Sequence, residues 1–193
     1  SILATPMKAV ILAAGMGTRL KEEGKNKPKG LLKIDGKTLV ERSLDKLDTC
    51  GIKEAVIVLG YQGDKIKQAV GSMHKSVNVT YAENKDYEKT GSMYSLSQAK
   101  DLLNDDILLL ESDLLYEKRA IQTLLNTRYK DAILISELLE SGDDVYVCIN
   151  KKSEIIDHGK KVKDKEKAEG ALVGVSKLSK EFLDVLLKDA HED

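Results

Sequence analysis

The sequence contains no tryptophan, one phenylalanine, two prolines and two cysteines among its 193 residues. So few aromatic residues argue against a platform that stacks nucleic-acid bases. Cys50 and Cys148 lie far apart and form no CxxC motif, which predicts reduced thiols in a cytoplasmic protein. The three histidines show no metal-ligand spacing, which argues against a zinc site.

The charge is balanced and no hydrophobic run is long. Lysine and arginine number 31 against 32 aspartate and glutamate residues, a formal net charge of −1. No basic excess points to nucleic acid or to an anionic membrane as a partner. No apolar run approaches the roughly 20 residues that a membrane-spanning helix needs. The length suits a single domain, which we predict over residues 1–193.

Short apolar runs alternate with amphipathic stretches, a pattern typical of βα units and of an α/β fold with a mostly parallel sheet. Strands are predicted at about residues 8–14, 55–59, 77–81, 106–110, 132–136 and 169–176. Helices are predicted at about residues 38–50, 62–70, 117–126 and 179–188. A further helix is predicted after the cluster of small polar residues that includes Ser92 and Ser95, and it runs to about Leu103. Thr38 and Glu41 form a capping box for the first helix, and Gly51 ends it. Residues 145–157 predict an antiparallel excursion that could cover the ligand edge of the sheet.

The most informative stretch runs from Lys8 to Leu31. It begins with a buried strand, and the glycine-containing turn Gly15–Thr18 follows directly. Glycine lets backbone N–H groups approach an anion closely, and Arg19 and Lys29 can neutralise phosphate charge. The pattern therefore predicts a nucleoside triphosphate site, with an ordinary strand-to-helix turn as the alternative.

Two common phosphate-binding motifs do not fit this loop. The dinucleotide fingerprint requires a third glycine, and Leu20 stands at that position. The P-loop requires Gly-Lys-Ser/Thr, which the sequence Gly17-Thr18-Arg19 does not supply.

Residues 12–20 and 27–31 together resemble the two-part signature of the sugar-nucleotide-type nucleotidyltransferases, L-A-A-G-x-G-[ST]-R followed by P-K-x-L. Residues 81–84 with 90–96, 111–113 and 174–176 resemble the cytidylyltransferase branch of that superfamily. That branch uses CTP to activate small phosphorylated amines such as phosphocholine, and a related group acts on 2-aminoethylphosphonate. The resemblance implies a Rossmann-like three-layer αβα sandwich with a mostly parallel mixed sheet, and transfer of CMP with release of pyrophosphate.

The resemblance also implies roles for individual residues. Arg19 and Lys29 would be catalytic, and Asp113 would bind Mg²⁺, the expected cofactor. The predicted nucleotide-binding residues are Leu12, Ala13, Ala14, Gly15, Met16, Gly17, Thr18, Tyr61, Ser92, Met93 and Ser95. A simple helix N-cap is the alternative for the serine-rich turn, and a pair of solvated carboxylates is the alternative for Glu111 and Asp113.

The acceptor is predicted from the chemistry of the segment expected to meet it. Proteins usually hold a quaternary ammonium in an aromatic cage, and this segment offers only Tyr146. Its carboxylates, at Glu140, Asp143 and Asp144, suit a primary ammonium, which donates three hydrogen bonds. We therefore predict Asp144 and Tyr146 as acceptor-binding residues and favour 2-aminoethylphosphonate over phosphocholine; loop solvation is the alternative role for these acids.

Family members usually continue for several tens of residues past the last predicted helix, where part of the acceptor pocket and a second metal-binding aspartate lie. We accordingly expect a C-terminally truncated domain, the front part of a longer protein. The alternatives to the favoured function are a phosphocholine cytidylyltransferase, a sugar-1-phosphate nucleotidyltransferase and a non-catalytic nucleotide-binding module. The sequence does not fix the oligomeric state.

Overall fold

A computed structural model describes residues 7–15, 27–112, 118–135, 145–149, 155–158 and 175–189. The strands are β1 (Lys8–Ala13), β2 (Lys33–Ile34), β3 (Lys37–Thr38), β4 (Glu54–Leu59), β5 (Met73–His74), β6 (Val77–Glu83), β7 (Ile107–Glu111), β8 (Ala132–Ile135), β9 (Val145–Ile149), β10 (Ile155–His158) and β11 (Val175–Leu178). The helices are α1 (Leu39–Thr49), α2 (Gly63–Val70), α3 (Ser92–Gln98), α4 (Lys118–Asn126) and α5 (Lys180–Asp189). Short 3₁₀ turns lie at Lys29–Leu31 and Lys100–Leu102.

Strand β1 lies near the middle of the main sheet and pairs in parallel with β4 on one side and β7 on the other. Its side chains alternate between two cores. Ile11 and Ala13 point into one core cluster, and Val10 and Leu12 point into the other. Burial on both faces explains why this strand is a continuous apolar run rather than an alternating one.

Among the described residues, nine strands form one sheet in the order β10-β9-β8-β11-β7-β1-β4-β6-β5. The central four, β7-β1-β4-β6, are mutually parallel. Strand β11 pairs antiparallel with both β7 and β8. By these pairings β1, β4, β6, β7, β8 and β10 run in the same direction, which confirms the predicted mixed and mostly parallel sheet.

Helices cover both faces of this sheet. One core cluster joins the strands to Leu44 of α1, Ile66 of α2 and Ile121 of α4. The other joins the opposite faces of the strands to Leu96 of α3 and to Phe182 of α5. The predicted three-layer αβα arrangement is therefore confirmed.

The ends of α1 follow from local sequence chemistry. Thr38 Oγ1 accepts a hydrogen bond from the Glu41 N–H at 3.1 Å, and Glu41 Oε2 accepts one from the Thr38 N–H at 2.9 Å. This predicted capping box satisfies two backbone donors that a helix start leaves unpaired. The hydrogen bond from the Thr38 backbone also lowers the pKa of Glu41. Gly51, with a φ of +83°, follows the helix end as predicted.

Within the described residues, the antiparallel excursion over residues 145–157 contains the strands β9 and β10. β9 pairs with β8, and β10 pairs with β9, so the two strands extend the main sheet sideways. The prediction of antiparallel strands is confirmed, but their pairing places them in the plane of the sheet.

The parallel strands β1, β4, β6 and β7 all end at the same edge of the sheet. Strands β4 and β6 follow β1 on one side, and the chain then crosses to place β7 on the other side of β1. The carboxyl ends of β1 and β7 therefore flank a topological switch point, where ligands of open α/β sheets bind.

Candidate active site

A cavity of about 170 Å³ opens at this switch point. Its walls come from the ends of β1 and β7 and from the segment between β6 and α3. The lining residues are Leu12, Ala14, Gly15, Tyr87, Thr90, Gly91, Ser92, Ser95 and Glu111. Five of the predicted nucleotide-binding residues, Leu12, Ala14, Gly15, Ser92 and Ser95, are thus brought to one cavity.

The floor of the cavity is formed where β1 meets β7. Leu12 and Glu111 are register partners in the two strands, and the Ser112 N–H donates to the Leu12 carbonyl at 3.0 Å. Among the described residues, no atom lies within 4 Å of where a Cβ on Gly15 would be. The backbone just after β1 is consequently open to close approach by a ligand.

The end of β4 packs tightly against the end of β1. A Cβ on Gly60 would lie 2.6 Å from the Ala14 carbonyl oxygen and 2.8 Å from Ala14 Cα. Glycine at position 60 thus lets the Tyr61 N–H donate to that same carbonyl at 3.2 Å. The Tyr61 ring lies beside Tyr87, with ring centroids 6.2 Å apart, so Tyr61 borders the cavity through a residue that lines it.

The third wall begins at Asn84, directly after β6. Its buried side chain forms hydrogen bonds with three residues of the following segment: the Asp86 N–H, Thr90 Oγ1 and Ser95 Oγ. Ser92 Oγ reaches across the cavity and donates to Glu111 Oε1 at 3.4 Å. The N-cap of α3 is Gly91, without a side-chain cap, so the serines here do not act as the simple N-cap.

The turn that carries Lys29 lies near the same edge, on the α1 side of the sheet. Lys29 is half-buried in this 3₁₀ turn, between buried Pro28 and buried Gly30. A Cβ on Gly30 would lie 2.6 Å from Val40 Cγ2 and 3.7 Å from Ser112 Cβ. Close packing at Gly30 therefore holds the lysine segment against α1 and next to the end of β7.

Two predicted nucleotide-binding residues lie elsewhere. The Ala13 side chain points into the core on the α1 side, so a nucleotide contact there would involve its backbone. Met93 is half-buried and packs against the other core cluster.

Several predicted site residues lie outside the described residues: Met16, Gly17, Thr18, Arg19, Asp113 and Asp144. Tyr146 falls within β9, and its side chain is likewise outside the description. The roles predicted for all of these residues stay predictions.

Sequence reasoning left three lining residues unassigned. Thr90 and Gly91 belong to the small-residue segment noted before α3, whereas no local pattern indicated Tyr87. The sequence predicts no binding role for Glu111 itself. Its register opposite Leu12 places it in the cavity itself.

The chemistry of this edge fits a magnesium ion. Mg²⁺ prefers carboxylate oxygens together with phosphates, and Glu111 brings a carboxylate to the cavity two residues before Asp113. Within the part of the chain that the structure describes, no group of three or more His, Cys, Asp and Glu side chains forms a complete site. The metal role of Asp113, which lies outside the described residues, stays a prediction.

No helix among the described residues is long and apolar enough to span a membrane.

The chain resembles several proteins of known activity. It is 30% identical over 136 residues to the CMP-5′-(3-aminopropyl)phosphonate synthase of Streptomyces rubellomurinus, a match that covers 70% of this chain and 22% of that protein. It is 27% identical to the CTP:phosphoglutamine cytidylyltransferase of Campylobacter jejuni, over 92% of this chain and 75% of that one. The chain thus spans less than a quarter of the first relative and three quarters of the second.

Its fold matches that of the CTP:phosphocholine cytidylyltransferase from Streptococcus pneumoniae, with a TM-score of 0.60 and 25% identity, over 97% of this chain and 77% of that one. A family model for the MobA-like NTP transferase domain matches residues 9–154, well over half of the chain. These relatives agree with the predicted cytidylyltransferase branch of the nucleotidyltransferases. The chain belongs to the MobA-like NTP transferase domain family.

Proposed function

We propose that the protein is a CTP-dependent cytidylyltransferase that transfers CMP to a small phosphonate or phosphate amine and releases pyrophosphate. The observation that carries the proposal is the cavity at the switch point, where the open backbone at Gly15, the Ser95 hydroxyl and the Glu111 carboxylate meet. Relatives named as enzymes that form CMP-phosphonate or use CTP support the choice of nucleotide.

The proposed reaction is an in-line displacement at the α-phosphorus of CTP. An oxygen of the acceptor phosphonate attacks this phosphorus and forms a new P–O bond. The bond to the bridging oxygen between the α- and β-phosphorus breaks, and pyrophosphate leaves with the electron pair. The attacking oxygen is already anionic at neutral pH, so no general base is required. Catalysis then consists of positioning the reactants and neutralising charge.

Different residues would hold the phosphates, neutralise their charge and position the nucleoside. Backbone N–H groups of residues 15–18 would hold the β- and γ-phosphates, and Arg19 would neutralise the leaving pyrophosphate. Lys29 would stabilise the α-phosphate as charge shifts onto it. Asp113 would hold Mg²⁺, whose charge offsets that of the phosphates. Ser92 and Ser95, on the α3 side, would frame the ribose and the base.

For the acceptor we propose 2-aminoethylphosphonate. The lone phenylalanine, Phe182, is only 1% exposed in the core and cannot join an aromatic cage. The acids near Asp144 suit a primary ammonium instead. One observation favours phosphocholine as a second candidate: Tyr61 and Tyr87 form an aromatic pair beside the cavity, and such rings attract a quaternary ammonium.

A screen of pyrophosphate release tests the proposal. CTP, UTP, GTP and dTTP are each combined with Mg²⁺ and with 2-aminoethylphosphonate, phosphocholine or glucose 1-phosphate. We expect turnover with CTP, fastest with 2-aminoethylphosphonate. Faster turnover with phosphocholine would reassign the acceptor. A preference for UTP, GTP or dTTP with glucose 1-phosphate would replace the proposal by a sugar-1-phosphate nucleotidyltransferase. Binding of CTP without turnover for any acceptor would indicate a non-catalytic module.

A further inference from the structure

The segment between β6 and α3 is held from within by Asn84, which is 0% exposed. Its Oδ1 accepts a hydrogen bond from the Asp86 N–H at 2.9 Å. A backbone N–H can only donate, so this contact fixes which way the amide is turned. The Nδ2 group must then face the hydroxyls of Thr90 and Ser95, and it donates to each at 2.9 Å.

These two hydroxyls differ in the acceptors that are available to their own protons. Thr90 Oγ1 donates to the Asp86 carbonyl at 2.8 Å, so its donor and acceptor roles are both satisfied inside the loop. Ser95 Oγ accepts from Asn84, but no residue that the structure describes accepts its proton. Ser95 lines the cavity, so this proton is available to a ligand there. A serine hydroxyl has one proton and two acceptor lone pairs. The Nδ2 group of Asn84 occupies one lone pair and, being a donor itself, offers the proton no acceptor, so the proton is directed away from Asn84.

We propose that Asn84 is a positioning residue that makes Ser95 a hydrogen-bond donor towards the base and thereby selects cytosine over uracil. The inference rests on the proposed use of CTP with its base beside Ser95. Cytosine carries an acceptor lone pair at N3, whereas uracil carries an N–H at the same position. A hydroxyl held as a donor pairs with cytosine N3 and meets a second donor in uracil. A polar group left unpaired in a closed site is a strong source of discrimination.

The substitution Asn84→Asp tests whether Asn84 sets the donor direction of the Ser95 hydroxyl, and it changes the shape of the side chain very little. The carboxylate still accepts from the Asp86 N–H, but its second oxygen now accepts where Nδ2 donated. The Ser95 proton should turn inwards to that oxygen and leave a lone pair facing the cavity. We expect the ratio of CTP to UTP affinity, measured by calorimetry on the intact protein at pH 8, to fall by about tenfold, the value of one hydrogen bond. Asn78→Asp, at an exposed position of β6, the strand that precedes Asn84, is the matched control and should leave the ratio unchanged.

Ser95→Ala provides a second test that introduces no buried charge. It removes the donor, so CTP affinity should fall by more than UTP affinity. In the double variant, Asn84→Asp should have no further effect on the ratio, because it acts only through Ser95. This non-additivity separates a positioning role from a general effect on folding, which would lower both affinities alike.

Several outcomes would overturn the inference: an unchanged ratio in Ser95→Ala, equal loss of both affinities in Asn84→Asp, or a wild-type protein that binds UTP at least as tightly as CTP. Because the readout is binding, it is independent of turnover. Absence of pyrophosphate release with the expected affinity ratios would refute the proposed transfer and still support the role of Asn84.

Discussion

Asn84 and Asp45 each gather polar partners from several segments, but they do so in opposite ways. Asn84 is neutral and fully buried, and each of its contacts has a fixed donor and a fixed acceptor. Asp45, on α1, is charged and 20% exposed. It is surrounded by Lys37 Nζ at 2.6 Å, His74 Nε2 at 2.8 Å and Lys75 Nζ at 2.8 Å.

The Asn84 network belongs to the candidate site, whereas the cluster of Asp45, Lys37, His74 and Lys75 joins separate segments of the structure and is called the clamp below. Burial alone would raise the pKa of Asp45, but hydrogen bonds from His74, Lys37 and Lys75 outweigh it and hold the pKa well below its usual range. The cluster connects β3 and the turn after β5 to α1, and a charge pair has little directional preference. The Asn84 network instead directs one hydroxyl towards a cavity. We therefore expect changes at the cavity edge to alter turnover and changes at Asp45 to alter stability.

The largest effect should come from Lys29→Ala. Removing a preorganised charge from the α-phosphate should lower the rate of pyrophosphate release from CTP by about 10²–10³. Urea denaturation checks that the variant still folds, since buried Pro28 and buried Gly30 pack the turn that carries the lysine. Lys33→Ala, at an exposed position on β2, should retain normal turnover. Full activity of Lys29→Ala would exclude the lysine from the mechanism. It would also contradict the expectation that changes at the cavity edge alter turnover whereas changes at Asp45 alter stability.

The next effect should come from Gly60→Ala, where site and stability are coupled. The added Cβ would lie 2.6 Å from a backbone oxygen of Ala14, and backbone cannot move aside as a flexible side chain can. We expect a loss of about 1–3 kcal/mol in the free energy of unfolding, typical of overpacking. CTP affinity should fall as well, because Ala14 and Gly15 line the cavity.

Gly91→Ala is the stability control for that experiment. Among the described residues, no atom lies within 4 Å of a Cβ at this position, and its φ of −101° suits any residue. Its free energy of unfolding should stay within about 0.5 kcal/mol of the wild type. Equal stability losses in the two variants would contradict the importance of the Gly60 contact.

Much of the fold could be predicted from the sequence because its main elements have local causes. Strands buried on both faces, such as β1 and β4, are continuous apolar runs, and α1 begins and ends at recognisable residues. The two-residue strand β5 was missed because it is too short for any periodicity. Its turn places Lys75 at a φ of +51° without a glycine to indicate it. The position of β11 between β7 and β8 depends on pairing between distant segments, which no local pattern encodes.

The candidate site, like the fold, could be predicted from the sequence only in part. Gly15 and Ser95 meet because the carboxyl ends of parallel strands share one edge, a rule that needs no coordinates. Ala13 shows what the motif leaves open: side chains alternate along a strand, so the Leu12 side chain lies on the side of the cavity and the Ala13 side chain lies in the opposite core. Tyr87 and Thr90 could not be assigned, since the position of their loop depends on the hydrogen bonds of a buried asparagine.

The smallest effect should come from Asp45→Asn, which tests the clamp. At pH 6 the variant should lose about 1 kcal/mol in the free energy of unfolding, because ion pairs this accessible are weakened by solvent. The pKa of Asp45 is lower in the folded protein than its ordinary value of 3.8. Its contribution is therefore fully present above that value and is lost as the pH falls towards the lower, folded-state pKa.

Urea denaturation at pH 6, 5, 4 and 3 should accordingly show a stability gap between wild type and Asp45→Asn that is constant down to about pH 5 and narrows below it. Asp101→Asn, which removes an exposed carboxylate from the turn at residues 100–102, should open no comparable gap. CTP affinity should be equal in wild type and Asp45→Asn, because none of the residues around Asp45 lines the cavity. A gap as wide at pH 3 as at pH 6 would mean that the side chain acts through shape rather than charge. A change in CTP affinity would mean that α1 transmits the state of the clamp to the Lys29 segment packed against it.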